Sequence, residues 1–562
     1  MSSSQTLARR DDRLRHRRPA GERTVLLVAG LLALLVALPI VALFVIAFGG
    51  VSQNWSHLLS TVLPSSALVT AELMAGVALV TAVFGTVPAW LVTSFRFPGR
   101  RVLAVALVVP LAVPTYIAAY CFNEYLHYVG PVQSAIRSLF GFTSRRDYWF
   151  PEIRSLWGAV LILSSVLYPY VFLTVRVMFA MQGRRVADVA RTLGAGPLRV
   201  FLTVLLPMAR PAIAVGVALA LMESVNDIGA VEFLGVQTLT FTVYATWLNR
   251  GDLVGATQIA LAMLAVIVGL VLLERHARRR QRFTVARGDG AKAGLEPLTG
   301  WRAGLAILAC ATPILLGFGI PAYVLADYAS RRLADLSDPA LWRAAWHSLA
   351  IAGTAAVLTV AIAFAMAYGA RLTKSRRLEA LSRIGSAGYA IPGTVLAMGI
   401  LVPFAAFDNQ LDALMRSAFG VSTGLLLSGS GAAIVFACIV RFMAMGHGSV
   451  ESGFAKVSPH LDMASRTLGR GPAATLREVL LPLMRPALLT SLLLVFVDCV
   501  KELSATVLLR PFDFDTLATH VYAQASRAAF QDGAVAALLI VAIGMAPVLV
   551  LTRSIAGETE RG

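Results

Sequence analysis

Arg191–Ala212 reads RTLGAGPLRVFLTVLLPMARPA, and Arg466–Ala487 reads RTLGRGPAATLREVLLPLMRPA. The two stretches lie 275 positions apart and agree at 13 of 22 positions. Each is a basic cassette marked by Gly and Pro, set in a chain that is otherwise oily. Hydrophobic residues make up 57% of the 562 and charged residues 14%, whereas a soluble domain carries about 25% charged residues. The composition is that of a polytopic membrane protein, and the repeated cassette divides it into two matching halves.

Twelve apolar segments are long enough to cross a bilayer as helices, which takes about 20 residues each. They fall at 24–48, 66–92, 101–122, 155–181, 209–228, 253–273, 303–325, 347–370, 383–405, 427–447, 485–503 and 533–552. The first exceeds the roughly 7–15 apolar residues of a secretory signal, so it reads as a helix kept in the mature protein. An even number of crossings puts both termini on one side. With that side cytoplasmic, the cytoplasmic segments hold 35 of the 49 Lys and Arg and the external ones 12, as the positive-inside bias requires. Arg176 and Arg441 lie within spans and are expected to snorkel to the cytoplasmic end.

The expected fold is therefore all-α and polytopic. A basic cytoplasmic arm occupies 1–23, a first half 24–273, a polar cytoplasmic linker 274–300, a second half 301–552 and a tail 553–562. Six spans per half make the repeat parallel, and transporters built from repeats place the substrate path where the repeats meet. The formal charge of +18 does not call for nucleic acid, because the basic residues cluster between spans, where topology accounts for them. Cys121, Cys310, Cys438 and Cys499 show no CxxC pair or metal-ligand spacing and are expected to pack as small apolar residues. No HExxH, GxSxG or His cluster supports a membrane enzyme, and no GxxxxGK[ST] phosphate loop supplies a motor.

The cassettes, at about 184–210 and 456–485, each read as helix, break and second helix. In the first, Val186, Val189, Ala190 and Leu193 share one helical face. Gly194 supplies a stop, since glycine adopts positive φ without strain. Gly196 and Pro197 turn the chain, and Pro207 and Pro211 mark the start of the fifth span. The second repeats this punctuation at Gly469, Gly471, Pro472, Pro482 and Pro486. A mere loop needs polarity and not thirteen identities. One docking element per half implies a partner present twice.

This pattern resembles the EAA loop of permease subunits in binding-protein-dependent ATP-binding-cassette importers. Asp188-Val189-Ala190, Gly194 and Leu206-Pro207 carry the resemblance in the first copy, and Met463-Ala464-Ser465, Gly469 and Leu481-Pro482 in the second. It implies a fold of the type I importer permease kind, with the cassettes as coupling helices seated in two copies of an ATPase subunit. ATP and Mg would then be bound by that partner, with no cofactor on this chain. It also implies an external substrate-binding protein, a place in the bacterial inner membrane and transport by alternating access. The acidic position differs between the copies, Asp188 in one and Met463 in the other, while Asp462 lies one residue earlier and about 100° round the helix. The two docking sites are expected to be inequivalent. An ion-driven secondary transporter is the reading of a different class, but such a carrier has no need of matched docking loops.

Stretches such as WFPEIRSLWGAVLILSSVLYPYVFL (149–173) and KELSATVLLRPFDFDTLATHVY (501–522) extend the resemblance to fused, two-half permeases of iron(III) importers. ESVNDIGAVEFLGVQTLT (223–240) and YAIPGTVLAMGI (389–400) join them. Related fused permeases carry thiamine or phosphonate compounds. Paired acids also recur at the 275 offset: Glu223 with Asp227, and Asp498 with Glu502. Each pair is spaced i,i+4 on one helix face. Ionisable groups within spans usually face a cavity, and hard oxygen ligands suit a cationic cargo. The alternative is structural: Asn226 and Lys501 stand beside these acids, which would then cap helices or join the halves. Tyr116, Tyr120, Tyr125, Tyr128 and Tyr148, with Glu124 and His127, are residue types that can ligate iron, but they read first as an aromatic belt at the outer interface, beside external loops on which a binding protein would dock.

Overall fold

A computed structural model describes residues 22–50, 52, 55–180, 196–279, 295–373, 388, 391–458 and 460–560. Among them, eleven helices are long and apolar enough to cross a membrane, or up to twelve if one bent pair forms a span. The first half comprises α1 (Glu22–Phe48), α2 (Trp55–Ser94), α3 (Arg100–Ala106), α4 (Thr115–Leu126), α5 (Leu156–Met178), α6 (Pro197–Asn226) and α7 (Leu253–Arg279). The second comprises α8 (Gly300–Arg331), α9 (Pro339–Thr373), α10 (Gly393–Phe419), α11 (Ala432–Lys456), α12 (His460–Thr467), α13 (Leu476–Lys501), α14 (Leu517–Ser526) and α15 (Ala534–Glu560). Leu34, Leu79, Leu308 and Leu489 are more than half exposed on these helices, which is the surface that lipid covers. All four cysteines are buried and free.

The helices correct several expected boundaries. The span expected at 101–122 is broken: α3 leads through a 3-10 turn at Val109–Ala112 into α4, and the two parts are bent by 98°. Pro110 and Pro114 are the cause, since proline offers no N–H and pushes the preceding residue out of the α region. Pro114 stands in extended geometry at the cap of α4, and Pro392 does the same for α10 in the second half. The linker expected at 274–300 is ordered at both described ends. Residues 274–279 continue α7, and β2 (Glu296–Pro297) pairs in parallel with β1 (Phe95–Arg96). The expected tail at 553–562 is helical as far as Glu560.

Packing interleaves the halves. Helix α1 lies against α10 of the second half, and α8 lies against α4 and α15. Glycines let backbones touch where α10 meets α1 and where α8 also meets α5. A Cβ on Gly399 would stand 2.3 Å from the Pro39 carbonyl oxygen, and one on Gly317 would stand 2.0 Å from that of Ser165. The first helix of each half thus clasps the other half, which holds their interface as one core.

The repeated cassette ends in a repeated distortion. A π-turn at Phe201–Leu205 precedes Pro207, and another at Leu476–Leu480 precedes Pro482. Leu206 N–H reaches the Phe201 carbonyl and Leu481 N–H that of Leu476, five residues back. A proline one position later has no N–H for the regular ladder, and the widened turn keeps its ring clear of the preceding carbonyls.

Candidate functional site: a charged cavity and two cassettes

The fifth span of each half ends at a carboxylate. Helix α6 stops at Asn226, and Asp227 follows with extended backbone. Its Oδ1 accepts the Ala230 N–H at 2.9 Å. Helix α13 stops at Lys501, and Glu502 follows with the same geometry, its Oε1 accepting the Ala505 N–H at 2.7 Å. Each acid thereby caps the short helix that comes next. The capping role expected as the structural alternative is therefore present. It sits in the protein interior: Asp227 is 9% exposed and Glu502 6%.

All four acids come together. Glu223, Asp227, Asp498 and Glu502 line one cavity of about 130 Å³ between the halves. Arg441 and Lys501 line it too, so formal charge in the wall runs four negative to two positive. Both cations are engaged. Arg441 Nη1 donates to Glu502 Oε1 at 2.6 Å. Lys501 Nζ donates to the Leu111 carbonyl at 3.0 Å and lies 3.7 Å from Asp498. Two polar groups remain open: the acceptor Asp227 Oδ2, which accepts no hydrogen bond, and the Tyr116 hydroxyl, which neither donates nor accepts one. The floor joins the halves: Asn226 Oδ1 takes the Gly393 N–H at 2.7 Å, and its carbonyl takes the Ser504 hydroxyl at 3.0 Å.

Two expectations are corrected here. Arg441 does not snorkel. It is 8% exposed and turns into the cavity, where a buried carboxylate holds it better than the distant headgroups would. Tyr116 and Tyr120 are not interface residues, being 4% and 1% exposed in the core. Farther along the same segment, Glu124 accepts the Tyr328 hydroxyl at 2.7 Å, and Tyr128 lies beneath the Arg137 guanidinium. In the loop beyond, the Ser144 and Thr143 backbone N–H groups hold the Asp147 carboxyl below the usual carboxylate range. Among the described residues no group of three or more His, Cys, Asp or Glu is placed to hold a metal.

Of the cassettes, Asp188, Ala190 and Gly194 lie outside the described residues. The second is seen except for its approach at 459. Gly469 has φ +78°, the left-handed stop expected of it. Across that turn, the Ser465 and Thr475 hydroxyls meet at 2.7 Å. Asp462 faces inward to Arg371 Nε at 2.8 Å. The same guanidinium reaches the carbonyls of Phe454, Val457 and Ser458, closing the end of α11. Met463 and Ala464 face outward, Met463 at 53% exposure, with Leu468 at 81%. Pro207 and Pro482 sit in the first turns after the π-distortions.

A sequence profile described as "Binding-protein-dependent transport system inner membrane component" matches residues 81–283 and again 358–557. The chain belongs to that family. This permease is a transport subunit of an ATP-binding-cassette importer and not a catalytic enzyme. It is 23% identical over 476 residues to the Fe(3+)-transport system permease protein FbpB 2 of Haemophilus influenzae, covering 84% of this chain and 86% of that one. It is 24% identical over 503 residues to the probable ABC transporter permease protein y4fN of Sinorhizobium fredii, covering 83% of each. A shorter match, 29% over 196 residues, covers 33% of this permease and 82% of the molybdenum transport system permease protein ModB of Escherichia coli K12.

Proposed function

We propose that this permease imports a cation, ferric iron in the first instance, through the cavity between its halves. The observation that carries the reading is the state of the cavity's charges. An oxyanion such as molybdate or sulfate is bound by hydrogen-bond donors and positive charge. Here both cationic side chains already bond protein acceptors, while Asp227 Oδ2 stands open as an acceptor and the Tyr116 hydroxyl is open, with no cation bonded to it. Carboxylate and phenol oxygens are hard ligands, suited to a hard cation. The fused iron permease of Haemophilus influenzae, which matches over most of both chains, supports the same choice.

The energy is proposed to come from two copies of an ATPase subunit that bind ATP and Mg. Each would seat one cassette, the first through Asp188, Ala190 and Gly194, the second through Met463, Ala464 and Gly469. An external binding protein would deliver the cargo on the side opposite the cassettes. Both termini would then lie in the cytoplasm, on the side where Lys and Arg gather. Closure of the ATPase pair moves the cassettes, and through α6 and α13 it moves the ends that carry Asp227 and Glu502.

The test is cargo uptake in a strain deleted for this gene. Iron(III) accumulation falls and returns with the restored gene, while sulfate and molybdate accumulation stay level. Loss of oxyanion uptake with iron unchanged would overturn the cationic reading.

A further inference from the structure

Asp227 and Glu502 occupy one position in two copies, each capping the helix that follows it through the N–H three residues on. Their partners differ. Glu502 holds Arg441, whose position 275 residues earlier is Val166, a wall residue of the same cavity. Asp227 makes no such ion pair; the Thr115 hydroxyl donates to it, and Arg441 acts on it only across the cavity. The cavity wall has Val166 at the place that matches this guanidinium, and Asp227 Oδ2 and the Tyr116 hydroxyl, both in that wall, stay open. Both residues are more than nine-tenths buried.

A guanidinium keeps its charge at any accessible pH. Tied to the chain at a carboxylate, it competes with any mobile cation for that carboxylate at high effective concentration. We infer that Arg441 is a tethered counter-ion which fills the second of two equivalent carboxylate sites, so that the cavity takes one mobile cation, at Asp227 and Tyr116. This rests on the reading of the cavity as a cation path and adds how many ions it holds and why. A second mobile ion in so small a cavity would repel the first, and the fixed guanidinium removes the carboxylate that would otherwise draw it in. The cavity's 130 Å³ is well above the ~10–15 Å³ that one water needs on the same measure, and is room for several waters or one partly hydrated ion.

Terbium(III) is a suitable probe, being a hard trivalent cation whose luminescence is sensitised by nearby tyrosine. The purified full-length permease binds one terbium ion with Tyr-sensitised emission, and Asp227→Asn abolishes it. Arg441→Gln binds two, and Arg441→Gln with Glu502→Gln returns to one. Arg441→Gln leaves a buried carboxylate unpaired, a change that can unfold the protein. Val166→Arg therefore provides an independent arm. It places a second tethered cation beside Asp227 without stranding any charge, and binding falls to none. One ion bound by Arg441→Gln, or binding kept in Val166→Arg, overturns the counter-ion inference while leaving the cation path standing. A wild-type protein that binds no terbium overturns the cation path itself.

Discussion

Glu223→Gln combined with Asp498→Asn lowers cation uptake about tenfold or more, with the amount of folded protein in the membrane unchanged. The two residues match at the 275 offset, one turn before each capping acid. Together they turn the cavity's surplus of two negative charges into none. At an effective dielectric constant near 20, a unit charge about 8 Å away contributes about 2 kcal/mol to a monovalent ion, and more to a trivalent one. Losing two such terms exceeds the ~1.4 kcal/mol that makes a factor of ten. The amides keep the shape of the carboxylates, and the caps at Asp227 and Glu502 are left alone. The check is labelled-iron uptake set beside the yield of monodisperse protein. Uptake at the wild-type rate with normal yield would remove these acids from the path.

Arg371→Ala separates the motor from the transport path in the second half. Arg371 joins three elements: it ends α9, caps α11 through three carbonyls and holds α12 through Asp462. The Arg371 and Asp462 side chains are 14% and 19% exposed. Breaking such a shielded pair costs about 3 kcal/mol, much of it from the acid left alone. That is enough to release an eight-residue helix which cannot persist by itself. In the assembled importer, ATP hydrolysis then proceeds with transport reduced about tenfold or more. Arg371→Lys recovers part of it, keeping the charge and losing the fork that reaches several acceptors at once. The readout is transport per ATP hydrolysed. A ratio unchanged in Arg371→Ala would mean that α12 moves the spans by another route.

The cassettes were legible because the chain contains its own comparison. Thirteen identities between copies single out Gly469 and the prolines, and these carry backbone roles that depend on residue type alone. The acids at 223, 227, 498 and 502 were legible for the same reason. The two copies differ in sequence at Asp188 and Met463, but the contact that holds the second copy was not visible. Asp462 is claimed by Arg371, 91 residues away, and no local pattern announces that pair.

The bend between α3 and α4 was written in Pro110 and Pro114, yet apolar runs dominate a reading by hydropathy and hid it. Arg441 could not be placed from its own span. A lone arginine in a span has two escapes, the headgroups or a buried acid. Its partner Glu502 is 61 residues on. The clue was Val166 at the matching place in the other half. Where two copies of a segment agree on an acid and disagree on its cation, the disagreement marks the site.

On the proposed function, ATP drives a cation through this chain by way of its cassettes. The deciding assay uses proteoliposomes holding the permease with its co-purified ATPase and iron-loaded binding protein. Iron accumulates inside only with ATP and Mg, and the Glu223→Gln, Asp498→Asn pair lowers accumulation about tenfold or more while hydrolysis continues. Accumulation by the permease alone under an ion gradient, with no need of ATP, would contradict it.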